Sequence, residues 1–339
     1  MCLPPPRRKG CTSILRRRKS RRPGERETMT SGRKPEFAHL LAEVLGEEHP
    51  LSYSRLQFLS NPQAEHLAAF REAWPRASRE RRRQVVRALA QLSEDNPDLN
   101  FRDVLFFCLA DSDEVVRSAA IEGLVDDESL SLLEQLLQMA AGDPSPQVRS
   151  EAVLALGRFV YLMETTDFLE GYRQRLLRLL LDIFGDAQAP LEVRRRAVET
   201  VSYMGDSSEV EETILRAYQA EEREMHVSAI HAMGHHMGER WHPFLERELA
   251  SPDPEMRYEA AWACGEMGDP RLVPSLAPLL DDADHEVARA AIWALGEIGG
   301  AQARRLLERC LEREEEDIRE AAEEALHTLR FFEDPMGLL

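Results

Sequence analysis

The chain has 339 residues, of which 43% are hydrophobic, 31% charged and only 6% aromatic. That length suits two ordinary domains or one elongated repeat array, and the apolar content excludes disorder throughout. The net charge of −18 conceals an asymmetry: residues 1–28 sum to +8 and the remaining 311 to −26. A body this acidic repels phosphate backbones, which argues against nucleic acid as a partner of that part and for basic or neutral ones.

Residues 1–35 read as a disordered basic leader, with Pro4, Pro5, Pro6, a run of Arg and Lys, and Pro23-Gly24. They fit either sequence upstream of a natural start at Met29 or a basic arm for nucleic acid or anionic lipid. No signal-peptide apolar stretch is present, nor any run near the roughly 18 residues of a transmembrane helix. No membrane insertion and a cytoplasmic location are expected. The five cysteines (Cys2, Cys11, Cys108, Cys264, Cys310) are scattered and include no CxxC pair, so neither a disulfide framework nor a zinc knuckle is indicated.

Residues 36–75 follow with short helical segments. Phe37, Leu40, Leu41, Val44 and Leu45 sit at helical spacing, as do Leu67, Phe70 and Trp74. They are expected to cap the first repeat.

From 76 to 330 one pattern recurs: Val-Arg, two variable residues, Ala, then an apolar pair before Gly. Clear copies begin at Val116-Arg117, Val148-Arg149, Met256-Arg257 and Ile318-Arg319. The anchor column is Arg82, Arg117, Arg149, Arg194, His226, Arg257, Ala288 and Arg319, at spacings of 35, 32, 45, 32, 31, 31 and 31. A period in this range marks stacked helix pairs. The spacing of 45 predicts an insertion near 160–190, as longer helices through Phe168–Phe184.

Each unit predicts two helices. The first carries apolar residues such as Leu272, Leu276 and Leu279. The second is capped by Asp113, Ser145, Asp253 or Asp284, whose side chains accept orphan N–H bonds of the first turn. Pro146 and Pro254 occupy the first helical position, where a missing N–H is harmless. Gly268 and Gly299 are placed for a left-handed C-cap. The anchor arginines read as structural: Asp113 and Arg117, or Asp253 and Arg257, are spaced i, i+4 on one helix face, and such pairs are expected to form a ladder between repeats. Residues 331–339 form a C-terminal tail.

This pattern resembles the HEAT-like repeats of the phycobilisome-lyase type over residues 75–330. The resemblance implies an all-α fold, a right-handed α–α superhelix of about eight helix pairs, with the second helices lining its concave side. That family includes scaffolds, bilin lyases and the iron enzyme deoxyhypusine hydroxylase, so it implies no single function. The hydroxylases carry His-Glu dyads directly after the anchor. Here none of those slots is His-Glu, and His285-Glu286 falls before the anchor instead.

Five residues after the anchor, a column expected to face the groove holds His231, Trp262 and Trp293. One turn on come His235, Glu266 and Glu297. Tyr258 and Arg289 stand directly after their anchors. The tryptophans read either as core or as a hot-spot surface, and the glutamates would suit a basic peptide. His231 and His235, at i, i+4, with Glu266 are candidate metal ligands, although helix ends also favour histidine for dipole reasons. The expected function is a non-enzymatic protein- or peptide-binding scaffold using Tyr258, Trp262, Glu266, Arg289, Trp293, Glu297 and His231, with no cofactor. The alternative is a metal-dependent oxidoreductase related to the hydroxylase, or a chromophore-lyase-like protein.

Overall fold

The structure, a computed structural model, describes residues 33–165, 170–205 and 207–333. Most of the basic leader and most of the C-terminal tail lie outside the described residues. Among the described residues there are helices and no strand. In chain order these are α1 (Arg33–Leu45), α2 (Tyr53–Leu56), α3 (Ala64–Ala73), α4 (Arg79–Asp95), α5 (Arg102–Cys108), α6 (Glu114–Glu122), α7 (Leu130–Gly142), α8 (Pro146–Thr165) and α9 (Glu170–Gly185). They continue as α10 (Leu191–Val201), α11 (Ser208–Tyr218), α12 (Arg223–His236), α13 (His242–Leu249), α14 (Pro254–Met267), α15 (Val273–Leu276), α16 (His285–Ile298), α17 (Gly300–Cys310) and α18 (Glu316–Glu333).

From α3 onward the helices alternate as first and second members of pairs, making an α–α superhelix. Each second helix packs along the next, in the series α4, α6, α8, α10, α12, α14, α16 and α18; the first helices meet their successors far more sparingly. This unequal spacing curves the array with the second helices on its inner side. Small side chains make the close approach possible. A Cβ placed on Gly234 would lie 2.7 Å from the Cα of Ala263, and one on Gly296 would lie 3.1 Å from that of Ala325.

The helix ends follow local chemistry. Asp113, Asp253 and Asp284 accept N–H bonds from the first turns of α6, α14 and α16, and α8 and α14 begin at Pro146 and Pro254. Ser145 instead donates its own N–H to Asp143 and accepts the Arg149 N–H at its carbonyl oxygen. Gly268 closes α14 at φ 63°, in the left-handed region. Gly299 also has positive φ, but with ψ −164°, outside that region. Thirty-one residues before Gly268, Met237 closes α12 at φ 58°, a conformation that costs a residue with a Cβ.

Two further expectations are corrected. The segment around Leu272, Leu276 and Leu279 is not one helix but α15 flanked by 3-10 segments Pro270–Leu272 and Ala277–Asp281. Pro270, Pro274 and Pro278 recur every four residues, and each removes a donor that a continuous helix needs. The three leucines are buried regardless. Three anchor arginines form the expected ladder between repeats, but with the aspartate of the following unit rather than the one four residues back, while Arg149, Arg194 and Arg319 donate to the backbone carbonyls of Ala140, Phe184 and Arg313. Arg117 holds Asp143 through two bonds of 2.8 and 2.6 Å, Arg257 holds Asp282 through two of 2.7 Å, and Arg82 holds Asp111 at 2.7 and 2.6 Å. Asp113 and Asp253 receive Arg83 and Arg223 of the preceding unit. The partner aspartate lies two residues before the next second helix's cap and also accepts that cap's N–H, as Asp143 does from Ser145 at 2.9 Å. One carboxylate thus fixes both the turn and the neighbour's anchor.

Of the insertion expected at 160–190, the described part lies in α8 and α9, of 20 and 16 residues, and Phe168 lies outside the described residues. At the N-terminus, Phe37, Leu41, Val44, Leu45, Phe70 and Trp74 are buried, and α1 packs on α3 and α4.

Candidate functional site

The inner face of α10, α12, α14 and α16 is built from side chains at fixed steps after the anchor. Five residues on, Glu199, His231, Trp262 and Trp293 stand on successive units, and nine residues on, Tyr203, His235, Glu266 and Glu297. Because each unit repeats the same helix start, equal offsets place these side chains side by side.

Trp262 and Trp293 stack face to face, with ring centroids 3.7 Å apart and planes 5° from parallel. Both are half-buried. Trp293 packs on the core, where its ring reaches Gly265, a position with no room for a Cβ. The two other tryptophans behave differently. Trp74 and Trp241 are buried, and their indole N–H groups donate to Asp111 at 2.6 Å and His236 at 3.1 Å. Of the two readings of the tryptophan column, core or surface, the geometry takes something from each: the rings cover one another and remain partly exposed.

One unit earlier, a polar cluster forms. The Nε2 atoms of His231 and His235 converge at 3.1 Å, and the Tyr203 hydroxyl lies 2.9 Å from the His235 Nε2. The opposite ring nitrogens face carboxylates of α14: His231 Nδ1 is 3.6 Å from Glu259 and His235 Nδ1 is 3.7 Å from Glu266. Beside them the Ser228 hydroxyl donates to Glu199 at 2.7 Å and accepts from Arg195 at 2.9 Å, while Arg196 donates to Glu199 at 2.7 Å. Burial by itself lowers the His231 pKa. The Glu259 carboxylate, with the charges of Glu199 and Glu266, outweighs it and holds the imidazolium above the usual histidine range.

Other expected site residues are placed less centrally. Arg289 is exposed and pairs with Glu286 of its own helix at 3.1 Å, Tyr258 packs half-buried on the core, and Glu297 is exposed. Glu266 is brought to the histidines, but at the Nδ1 side rather than at the converging Nε2 atoms. Tyr203 and Glu259 were missed. Tyr203 stands in the same column as His235, so column position was a usable signal; nothing in the sequence marked Glu259. Among the described residues, no group of three or more His, Cys, Asp or Glu side chains is arranged to hold a metal ion, and no helix is long and apolar enough to cross a membrane.

The model of the HEAT repeats matches residues 102–187 and 242–327, together half of the chain. The chain belongs to the HEAT-repeat family. No curated protein sequence matches the array. Among solved structures, it is similar to Kap95p in a structure concerned with its binding to RanGDP: 16% identity, 88% of this chain and 46% of that chain, TM-score 0.55. It is similar also to Kap95 in the Kap95:Nup1 complex, with 16% identity, the same coverages and TM-score 0.51. The array therefore spans about half the length of these relatives, and the likeness concerns the fold alone. Human deoxyhypusine hydroxylase aligns over 87% of this chain and 96% of its own at 19% identity, but its TM-score of 0.28 bears on neither fold nor chemistry.

Proposed function

We propose that this HEAT array is a non-enzymatic scaffold that binds a protein or peptide segment, basic or neutral in charge, on the inner face of α12, α14 and α16. The observation that carries this reading is the stacked Trp262–Trp293 pair, left half-exposed on a face whose next turn bears Glu266 and Glu297. Tryptophans serving packing alone in this chain are buried with their N–H groups bonded, as at Trp74 and Trp241. A rigid aromatic plate loses little conformational entropy on binding and dominates interface energetics. Outside residues 1–28 the chain sums to −26, which favours a basic or neutral partner over an acidic one.

Solenoids present such faces to other proteins: Kap95p binds RanGDP and forms a complex with Nup1. The resemblance to repeats of the phycobilisome-lyase type is compatible with the proposal, since that group includes scaffolds.

The test uses the full chain as bait beside a Trp262→Ala/Trp293→Ala variant of unchanged circular dichroism. Any retained protein is then titrated directly against both. Truncating a hot-spot residue costs about 2 kcal/mol or more, a loss of about thirtyfold. Equal affinities for the two baits would sink the proposal.

A further inference from the structure

A second surface lies on α6 and α8, three units before the tryptophan pair. On α8, Glu151, Leu154, Arg158 and Tyr161 fall at i, i+3, i+7 and i+10, one stripe of the helix. Leu154 is 52% exposed and Tyr161 64%. Arg158 donates to the carbonyl oxygens of Leu124, at 2.7 Å, and of Val125, which ties the stripe to the end of α6, where Val125 is 60% exposed. Carboxylates flank these apolar side chains. The charges of Asp126 and Glu128 act on Arg158, and those of Glu122 and Glu192 on Glu151. Glu122, Asp126, Glu128 and Glu192 are exposed, and none of these five acids has an ion pair among the described residues. The neighbouring cations Arg195 and Arg196 are engaged by Ser228 and Glu199. Burial holds the Glu151 carboxyl above its ordinary range and the Glu122 charge adds to the rise, against Arg196, so a further cation arriving here relieves a repulsion.

We propose that residues 14–22 of this same chain dock on the α6–α8 surface, with Ile14 and Leu15 against Val125, Leu154 and Tyr161 and the basic run that follows among the five carboxylates. The segment carries both halves of the complement in order: an apolar pair, then Arg16, Arg17, Arg18, Lys19, Arg21 and Arg22 with no acid between them. Opposite charge brings the two together, and burial of the apolar pair fixes where the segment stops. The connecting length fits as well. α1 begins at Arg33 and packs on α4, and α8 is the second of the inner helices beyond α4. Inner helices stack about 10 Å apart, so the surface lies roughly 20 Å from α4. Eighteen residues separate Leu15 from Arg33. A coil of that length has a root-mean-square span of roughly 23 Å, which matches the distance and gives the segment a high effective concentration there. The tryptophan face, three units further on, lies roughly 50 Å from α4 by the same step and is a poorer match. The proposal is independent of the reading of that face.

The composition of the chain supplies a selective test. Its three lysines are Lys9, Lys19 and Lys34, and residues 35–339 contain none. A carbodiimide condenses a lysine amine and a carboxylate in contact into an amide, so in the full chain it reports where the N-terminal residues lie. Isotope-labelled and unlabelled full chains are mixed at low concentration, coupled in low salt and mapped by mass spectrometry. The expected result is Lys19 joined, within one chain, to Glu122, Asp126, Glu128, Glu151 or Glu192. Leu154→Ser, and separately Ile14→Ser/Leu15→Ser, are expected to lower that yield about tenfold while links from Lys34 persist. Leu154 is exposed, so its variant keeps the circular dichroism of the wild type. An undiminished yield in either variant overturns the proposal. So do Lys19 links that are absent, that scatter over the acidic surface or gather at Glu266 and Glu297, or that join labelled to unlabelled chains.

Discussion

At Gly265 a single methyl group should disturb both the packing of two repeats and the tryptophan pair. A Cβ there would lie 2.5 Å from Cζ3 and 3.0 Å from Cε3 of Trp293, and 2.9 Å from the Cα of Ala294. The ring could move, but the Ala294 backbone belongs to α16 and cannot shift without separating two helices. Helix propensity works the other way: Gly to Ala inside a helix gains about 0.5–1 kcal/mol. Overpacking a well-filled contact costs about 1–3 kcal/mol. The net expectation for Gly265→Ala is destabilisation of about 1–2 kcal/mol, with Trp293 displaced from Trp262. The same column provides a control. At Gly157 in α8 the nearest atom to an added Cβ is the Thr200 Cγ2, 4.0 Å away. There the steric cost vanishes and Gly157→Ala is expected to stabilise by up to about 1 kcal/mol. Urea unfolding measures both, and near-ultraviolet circular dichroism reports the coupled indoles. If Gly265→Ala is as stable as the wild type with the same indole signal, the argument from close helix approach is refuted.

The cross-unit ion pair makes a second prediction. Arg117 and Asp143 are both nearly buried, with 9% and 6% of their side chains exposed. Asp143→Ala strands the guanidinium and is expected to cost about 3–5 kcal/mol, more than an Arg117→Met/Asp143→Leu double variant; equal unfolding midpoints would contradict this. Met237 closes α12 with positive φ where Gly268 closes α14. Met237→Gly is therefore expected to stabilise by about 1 kcal/mol, read as a raised unfolding midpoint, and a lowered midpoint would refute it.

Acid sensitivity follows from the carboxylates. Arg257 holds Asp282 below its ordinary range, and Arg271 holds Asp269 down to about 2. A depressed folded-state pKa contributes stability that is complete above the unfolded value, near 3.9, and is lost as pH falls through the folded value. Urea midpoints measured downward from pH 5 should drop below about pH 4, and Asp282→Asn should flatten that drop. An unchanged slope in the variant would show that Asp282 does not contribute.

What lies within one helix was legible in the residues. The caps at Asp113, Asp253 and Asp284, the starts at Pro146 and Pro254 and the left-handed stop at Gly268 depend on groups no more than four residues apart. Chain chemistry alone specifies them. The groove columns were legible too, because a constant period carries equal offsets to equal places. What equal offsets do not specify is the rotation and separation of neighbouring helix pairs. That geometry sent the anchor arginine forward to Asp143 and Asp282 instead of back to Asp113 and Asp253. It laid Trp262 flat on Trp293, turned Glu266 to the far side of the His235 ring, and brought Tyr203 to its near side. Side chains 25 to 32 residues apart meet only once small residues such as Gly234, Gly265 and Gly296 let the second helices close up. That distance of approach is a property of the stacked array rather than of any one repeat.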